Sequence, residues 1–128
     1  MDMTTRIKYL RIALIIFGLI LIFCIIPALL YWPSGWRWLP HQTNYEQMIV
    51  GIYVTLGVFL LLAAKEPLQN LSLIWFTVWS SFVHGGIMLI QALVYEHEIG
   101  HLIGDVPALF LMGIVLAILT PRKRQLMK

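Results

Sequence analysis

Apolar residues fall in four long blocks, near positions 12–30, 48–64, 71–95 and 102–120, with short polar connectors between them. A helix rises ~1.5 Å per residue and the hydrocarbon core of a bilayer is ~30 Å thick, so each block is roughly long enough to cross as a helix. The second block stops at Lys65-Glu66-Pro67, where charge and proline end a helix, and the fourth stops at Pro121 with Arg122, Lys123 and Arg124 behind it. The pattern predicts an all-α polytopic membrane protein, a single four-span domain over residues 1–128 built as an antiparallel four-helix transmembrane bundle. Residues 96–103 are expected to extend the third helix by one or two turns. Gly104 should close that helix in a left-handed conformation, and Asp105 should cap the fourth.

Composition agrees with this reading. Hydrophobic residues make up 60% of the chain and charged residues 12%, and the mean hydropathy is +0.85, a balance that a soluble domain could not cover with polar surface. The net charge of +3 is not a nucleic-acid signature, because eight of the nine Lys and Arg residues lie beside the ends of the apolar blocks. These eight belong to the amino terminus, the Lys65 connector and the carboxyl tail, while the connector from Tyr31 to Gln47 holds only Arg37. Cytoplasmic connectors are enriched in Lys and Arg, so both termini are expected on the cytoplasmic side of a bacterial inner membrane. The first block has basic residues before it, as a secretory signal does. It lacks a small-x-small cleavage site before Tyr31-Trp32 and is expected to remain as an anchor. The lone Cys24 cannot form an internal disulfide and is read as a packing residue.

Candidate chemistry gathers on the outer side. Residues 31–40 contain Trp32, Trp36 and Trp38 with Pro33 and Pro40. This is the make-up of an aromatic belt at headgroup level, or of a lid that stacks on a ring-bearing or lipid ligand if a cavity lies beneath it. Within the third block Thr77, Ser81, His84, Met88 and Gln91 recur at helical spacing and are expected to face the bundle, where Gly51, Thr55 and Gly57 or Gly113 could let backbones approach. His84 sits near mid-span, where an ionisable group marks a binding or proton-transfer position, so His84, Ser81, Gln91 and Trp36 form the candidate ligand set. A bis-histidine haem is not expected, since the sequence places no second histidine at that depth.

The string His97-Glu98-Ile99-Gly100-His101 resembles the zincin motif. In that motif two histidines four residues apart share a helix face and bind zinc while the glutamate acts as general base. The resemblance implies His97 and His101 as metal ligands and Glu98 as the catalytic residue if the protein is an enzyme, and the first outer connector offers His41 or Glu46 as a candidate third ligand. It stops at Pro107, where the longer form of the motif has its third histidine. Four short spans also leave little protein for a substrate groove.

The layout as a whole, with Trp32-Pro33-Ser34-Gly35-Trp36, Trp79-Ser80-Ser81-x-x-His84 and Gly104-Asp105-Val106-Pro107, resembles the small four-span bacterial inner-membrane proteins grouped as domains of unknown function. That resemblance implies a fold and a membrane and transfers no activity. The reading is therefore a non-enzymatic inner-membrane protein, an accessory subunit or binder of a lipid-like or quinone-like molecule. The alternatives are a zinc-dependent membrane protein or hydrolase using the 97–101 motif, with zinc as its cofactor, and a small transporter or proton relay using His84. Membrane lipids, another membrane protein or a second copy of the chain are the expected partners, and nucleic acid is not.

Overall fold

A computed structural model of the protein describes residues 1–40 and 43–127. Among these residues the chain is helical throughout: α1 (Met3–Phe23), α2 (Ile25–Tyr31), α3 (Pro33–Trp36), α4 (Thr43–Lys65), a short 3-10 turn η1 (Pro67–Asn70), α5 (Leu71–Val94), a 3-10 helix η2 (Glu96–Ile103), α6 (Asp105–Leu119) and α7 (Lys123–Leu126). Three helical stretches, ending at Lys65, Val94 and Leu126, are each long and apolar enough to cross a membrane, and the bent pair α1–α2 passes the same test together. The protein is an all-α polytopic bundle.

The first span is broken, which the hydropathy pattern did not anticipate. Pro27 has no N–H to offer the carbonyl of Phe23, so the ladder is interrupted at Cys24 and the two halves meet at 49°. Cys24 stands exposed at this bend and does not pack.

Helices pair as two hairpins, α1 with α4 and α5 with α6, and α1 joins the pairs by also packing on α6. Gly18 and Gly57 set the first seam: a Cβ on Gly18 would stand 2.9 Å from the Gly57 carbonyl oxygen, and one on Gly57 would stand 2.8 Å from that of Gly18. Small residues admit such backbone contact in lipid, where dispersion replaces the hydrophobic effect as the force between helices. Gly57 thus serves the first span, not the third. Gly51 meets nothing, Thr55 is exposed and bonds back to Gly51, and Gly113 packs on Phe82 of α5.

On α5 the buried face runs Ile74, Thr77, Val78, Ser81, Gly85, Met88 and Ala92, while Phe76, Trp79, Val83, Ile87 and Ile90 face outward at the same spacing. A helix apolar on both faces is what a lipid solvent selects. Gln91 is exposed because the period of 3.6 carries the buried stripe from Met88 to Ala92.

The dry core lies toward the end of the bundle that holds both chain termini. Leu10, Leu14, Leu60, Ile74 and Leu116 are fully buried there. Two arginines close the same end. Arg6 donates to the carbonyls of Ile118 (2.7 Å), Leu119 (3.1 Å) and Thr120 (3.3 Å), and Arg11 donates to those of Ala64 (2.9 Å) and Lys65 (3.3 Å). Each guanidinium thereby satisfies the orphan carbonyls and the negative dipole end of a helix other than its own.

Candidate functional site

At the opposite end the connector between α2 and α4 folds back over the bundle. α3 lies on η2 with backbone against backbone: a Cβ on Gly100 would overlap the Ser34 carbonyl, and one on Gly104 would overlap that of Gly35, both inside any allowed contact distance. Gly104 has φ −112° and ψ −111°, so close approach demands glycine here and left-handed geometry does not. Asp105 opens α6 without capping it, because its carboxylate is used elsewhere.

The third helix ends at Val94, and residues 96–103 form a 3-10 helix in place of the expected α-helical extension. With three residues per turn, positions three apart eclipse and positions four apart diverge by about 120°. Glu98 and His101 therefore face inward together, 2% and 0% exposed, while His97 turns outward with its Nε2 3.6 Å from Glu98.

Around His101 the polar groups form a closed lattice. Its Nδ1 lies 2.8 Å from Asp105 Oδ1, and its Nε2 lies 3.0 Å from Glu98 Oε2 and 3.3 Å from the Arg37 carbonyl. The second oxygen of Asp105 accepts the Trp38 indole N–H at 2.9 Å, and the second oxygen of Glu98 accepts the Leu39 amide at 2.7 Å. Trp38 also stacks on the imidazole, with ring centres 3.9 Å apart and planes 20° apart. Each ring nitrogen thus faces one carboxylate, so the imidazole bridges the two acids, Asp105 at Nδ1 and Glu98 at Nε2. A buried network in which every carboxylate oxygen and ring nitrogen has a partner resists opening, since each broken contact would leave a buried polar atom unpaired. Arg37 and Glu46 add a bidentate pair at 2.9 and 2.8 Å beside it.

Beneath this roof lies a cavity of about 320 Å³. Its walls are largely apolar, from Phe17 and Leu21 of α1 to Met88 of α5 and Leu109 and Met112 of α6, and its roof is Trp36, Trp38 and Pro40. Ionisable groups reach it at Glu46, His84 and Asp105. Tyr53 of α4 hydrogen-bonds His84 Nδ1 of α5, joining two helices that otherwise touch sparsely.

Of the candidate ligand set, His84 and Trp36 line this cavity; Ser81 donates to the Thr77 carbonyl, and Gln91 stands at the surface. Tyr53 was missed, although a tyrosine within an apolar block is a signal worth reading. Of the candidate metal ligands, His97 and His101 are on different faces of η2 and His41 lies outside the described residues. Among the described residues, no three His, Cys, Asp or Glu side chains are grouped to hold a metal ion.

These features define a class: a polytopic all-α membrane protein with a solid core at one end and a roofed cavity at the other. Residues 4–126 match a family of unknown function, DUF6632, and the chain belongs to that family. No curated protein and no solved structure matches it.

Proposed function

We propose that this is a non-enzymatic membrane protein that holds one lipid-like or quinone-like molecule in the cavity under residues 36–40. The observation that carries this reading is the cavity itself: about 320 Å³, apolar in its walls, with a few polar groups at fixed positions. Small-molecule sites have this make-up and start near ~300 Å³. An accessory subunit that acted only by packing against a partner would have no use for such a space. The closed lattice supports the reading too, because it fastens the roof in place.

The basic residues support a placement with both termini in the cytoplasm and the roof on the far side, in a bacterial inner membrane. Native mass spectrometry of the protein released from detergent tests the binding reading. A co-purifying molecule should appear on the wild type, with lower occupancy in His84→Leu and in Ala108→Phe, which fills the space. Equal occupancy in all three would place the molecule elsewhere. Reporter fusions to each terminus test the orientation.

A further inference from the structure

We propose that the cavity takes an uncharged, single-chain amphiphile whose head carries an oxygen that accepts a hydrogen bond, and that the Tyr53–His84 pair supplies the hydrogen. This deepens the binding reading above and rests on it.

The space owes its shape to the broken first span. α1 packs along α4, but α2 is turned by 49° and does not continue that packing, so Ile25 and Leu29 of α2 line a gap in place of a helix seam. Ile20, Ile49 and Leu111 also line it and are exposed on the apolar outer surface, which opens the gap sideways to lipid. At about 320 Å³ it holds a small head and the start of one chain, not the two acyl chains of a phospholipid. The rest of a tail extends into the bilayer.

Charge narrows the head. No Lys or Arg lines the cavity among the described residues, and Glu46 and Asp105 both reach the lining. A carboxylate or phosphate would enter without a counter-charge and beside two acids, which is the costly arrangement for a buried anion. A cation gains little from those acids, because all four of their oxygens already have partners in Arg37, Trp38 and His101. An uncharged head meets neither obstacle.

Hydrogen counting supplies the last step. A phenol and a neutral imidazole carry two hydrogens between them, and the bond joining Tyr53 to His84 Nδ1 uses one. The other is left over in either tautomer, on Nε2 when the phenol donates and on the phenol when the imidazole does. Both residues line the cavity. His84 Nε2 bonds to no described residue, yet it is not among the sealed, unpaired atoms, which are Trp36 Nε1 and Thr120 Oγ1. It is therefore accessible, in a residue that lines the space. A donor at mid-span with no acceptor is costly in hydrocarbon, and an oxygen on the ligand removes that cost.

Calorimetric titration of the intact protein in detergent at neutral pH tests this with four probes that share a ten-carbon chain. They are a decyl-substituted benzoquinone, monodecanoylglycerol, decylbenzene and decanoate. Binding in the cavity is read as the signal lost in Ala108→Phe, which fills it. Wild type should bind the better of the two uncharged oxygen-bearing probes about tenfold more tightly than decylbenzene or decanoate, as one hydrogen bond provides. Which of the two leads tells a quinone ring from a glyceride head. The double variant Tyr53→Phe, His84→Leu keeps side chains of similar size and removes both hydrogens. It should erase the preference while leaving decylbenzene unchanged. Decylbenzene or decanoate equal to the better oxygen-bearing probe in wild type overturns the proposal, whether or not the double variant folds. So does a preference that survives in a double variant with an unchanged thermal midpoint. Failure of every probe to separate wild type from Ala108→Phe removes the binding reading itself.

Discussion

The indole of Trp38 lies flat on the imidazole of His101, and its N–H reaches past that ring to Asp105. One side chain of the connector between α2 and α4 is thereby stacked on one element, η2, and bonded to another, α6.

His101→Leu should be among the most damaging single changes. It leaves one oxygen of Glu98 and one of Asp105 facing an apolar side chain in place of the imidazole between them, a loss of roughly 3–5 kcal/mol. Denaturant midpoints in mixed micelles measure this. Glu98→Gln keeps an acceptor for Leu39 and should cost less, about 1–2 kcal/mol. Wild-type stability in His101→Leu would show that the lattice fastens nothing.

Gly104→Ala should unseat α3 from η2. Its Cβ would meet the Gly35 backbone, which has no flexible end to move aside, so the cost is about 3 kcal/mol or more. Gly51→Ala and Gly86→Ala meet nothing within 4 Å and serve as controls with no loss. Proteolysis within residues 31–42 should accelerate in the first variant alone.

Arg6→Ala should loosen the end of α6, since three carbonyls lose one guanidinium. A cost of about 1–3 kcal/mol follows from hydrogen bonds to a charged donor. Arg6→Lys should recover little of it, because a point charge cannot fork among three acceptors. Hydrogen exchange at residues 122–125, whose neighbouring backbone Arg6 holds, reads the loosening directly.

His97→Ala should change stability by less than ~0.5 kcal/mol, as an exposed residue outside the lattice. Metal analysis of wild type, His97→Ala and His101→Ala addresses the motif that these residues form in the sequence. With the two histidines on different faces of η2, wild type should retain no stoichiometric zinc. Zinc that is present in wild type and lost in both variants would restore the metal reading.

Much of the fold was legible in the apolar blocks, because a lipid solvent imposes length and composition on every crossing helix. The bend at Cys24 was legible too, in Pro27, had its missing donor been weighed against the length of the first block. The site was half legible. His84 and Trp36 were found because a polar residue in mid-span and a tryptophan-rich connector are both costly or unusual. The pairing of Glu98 with His101 was not, since it turns on whether residues 96–103 wind at 3.6 or at three residues per turn, and sequence spacing supports either. Contacts such as Arg6 with Leu119 join residues from opposite ends of the chain, and no local pattern encodes them.

The arginine closures have a consequence for biosynthesis. Membrane proteins enter the bilayer in chain order, so the first span is inserted with both guanidiniums lacking their carbonyl partners. Arg11 acquires its acceptors when residues 64–65 arrive, and Arg6 must wait for residues 118–120. The first of the four spans is therefore the last to be secured at that end.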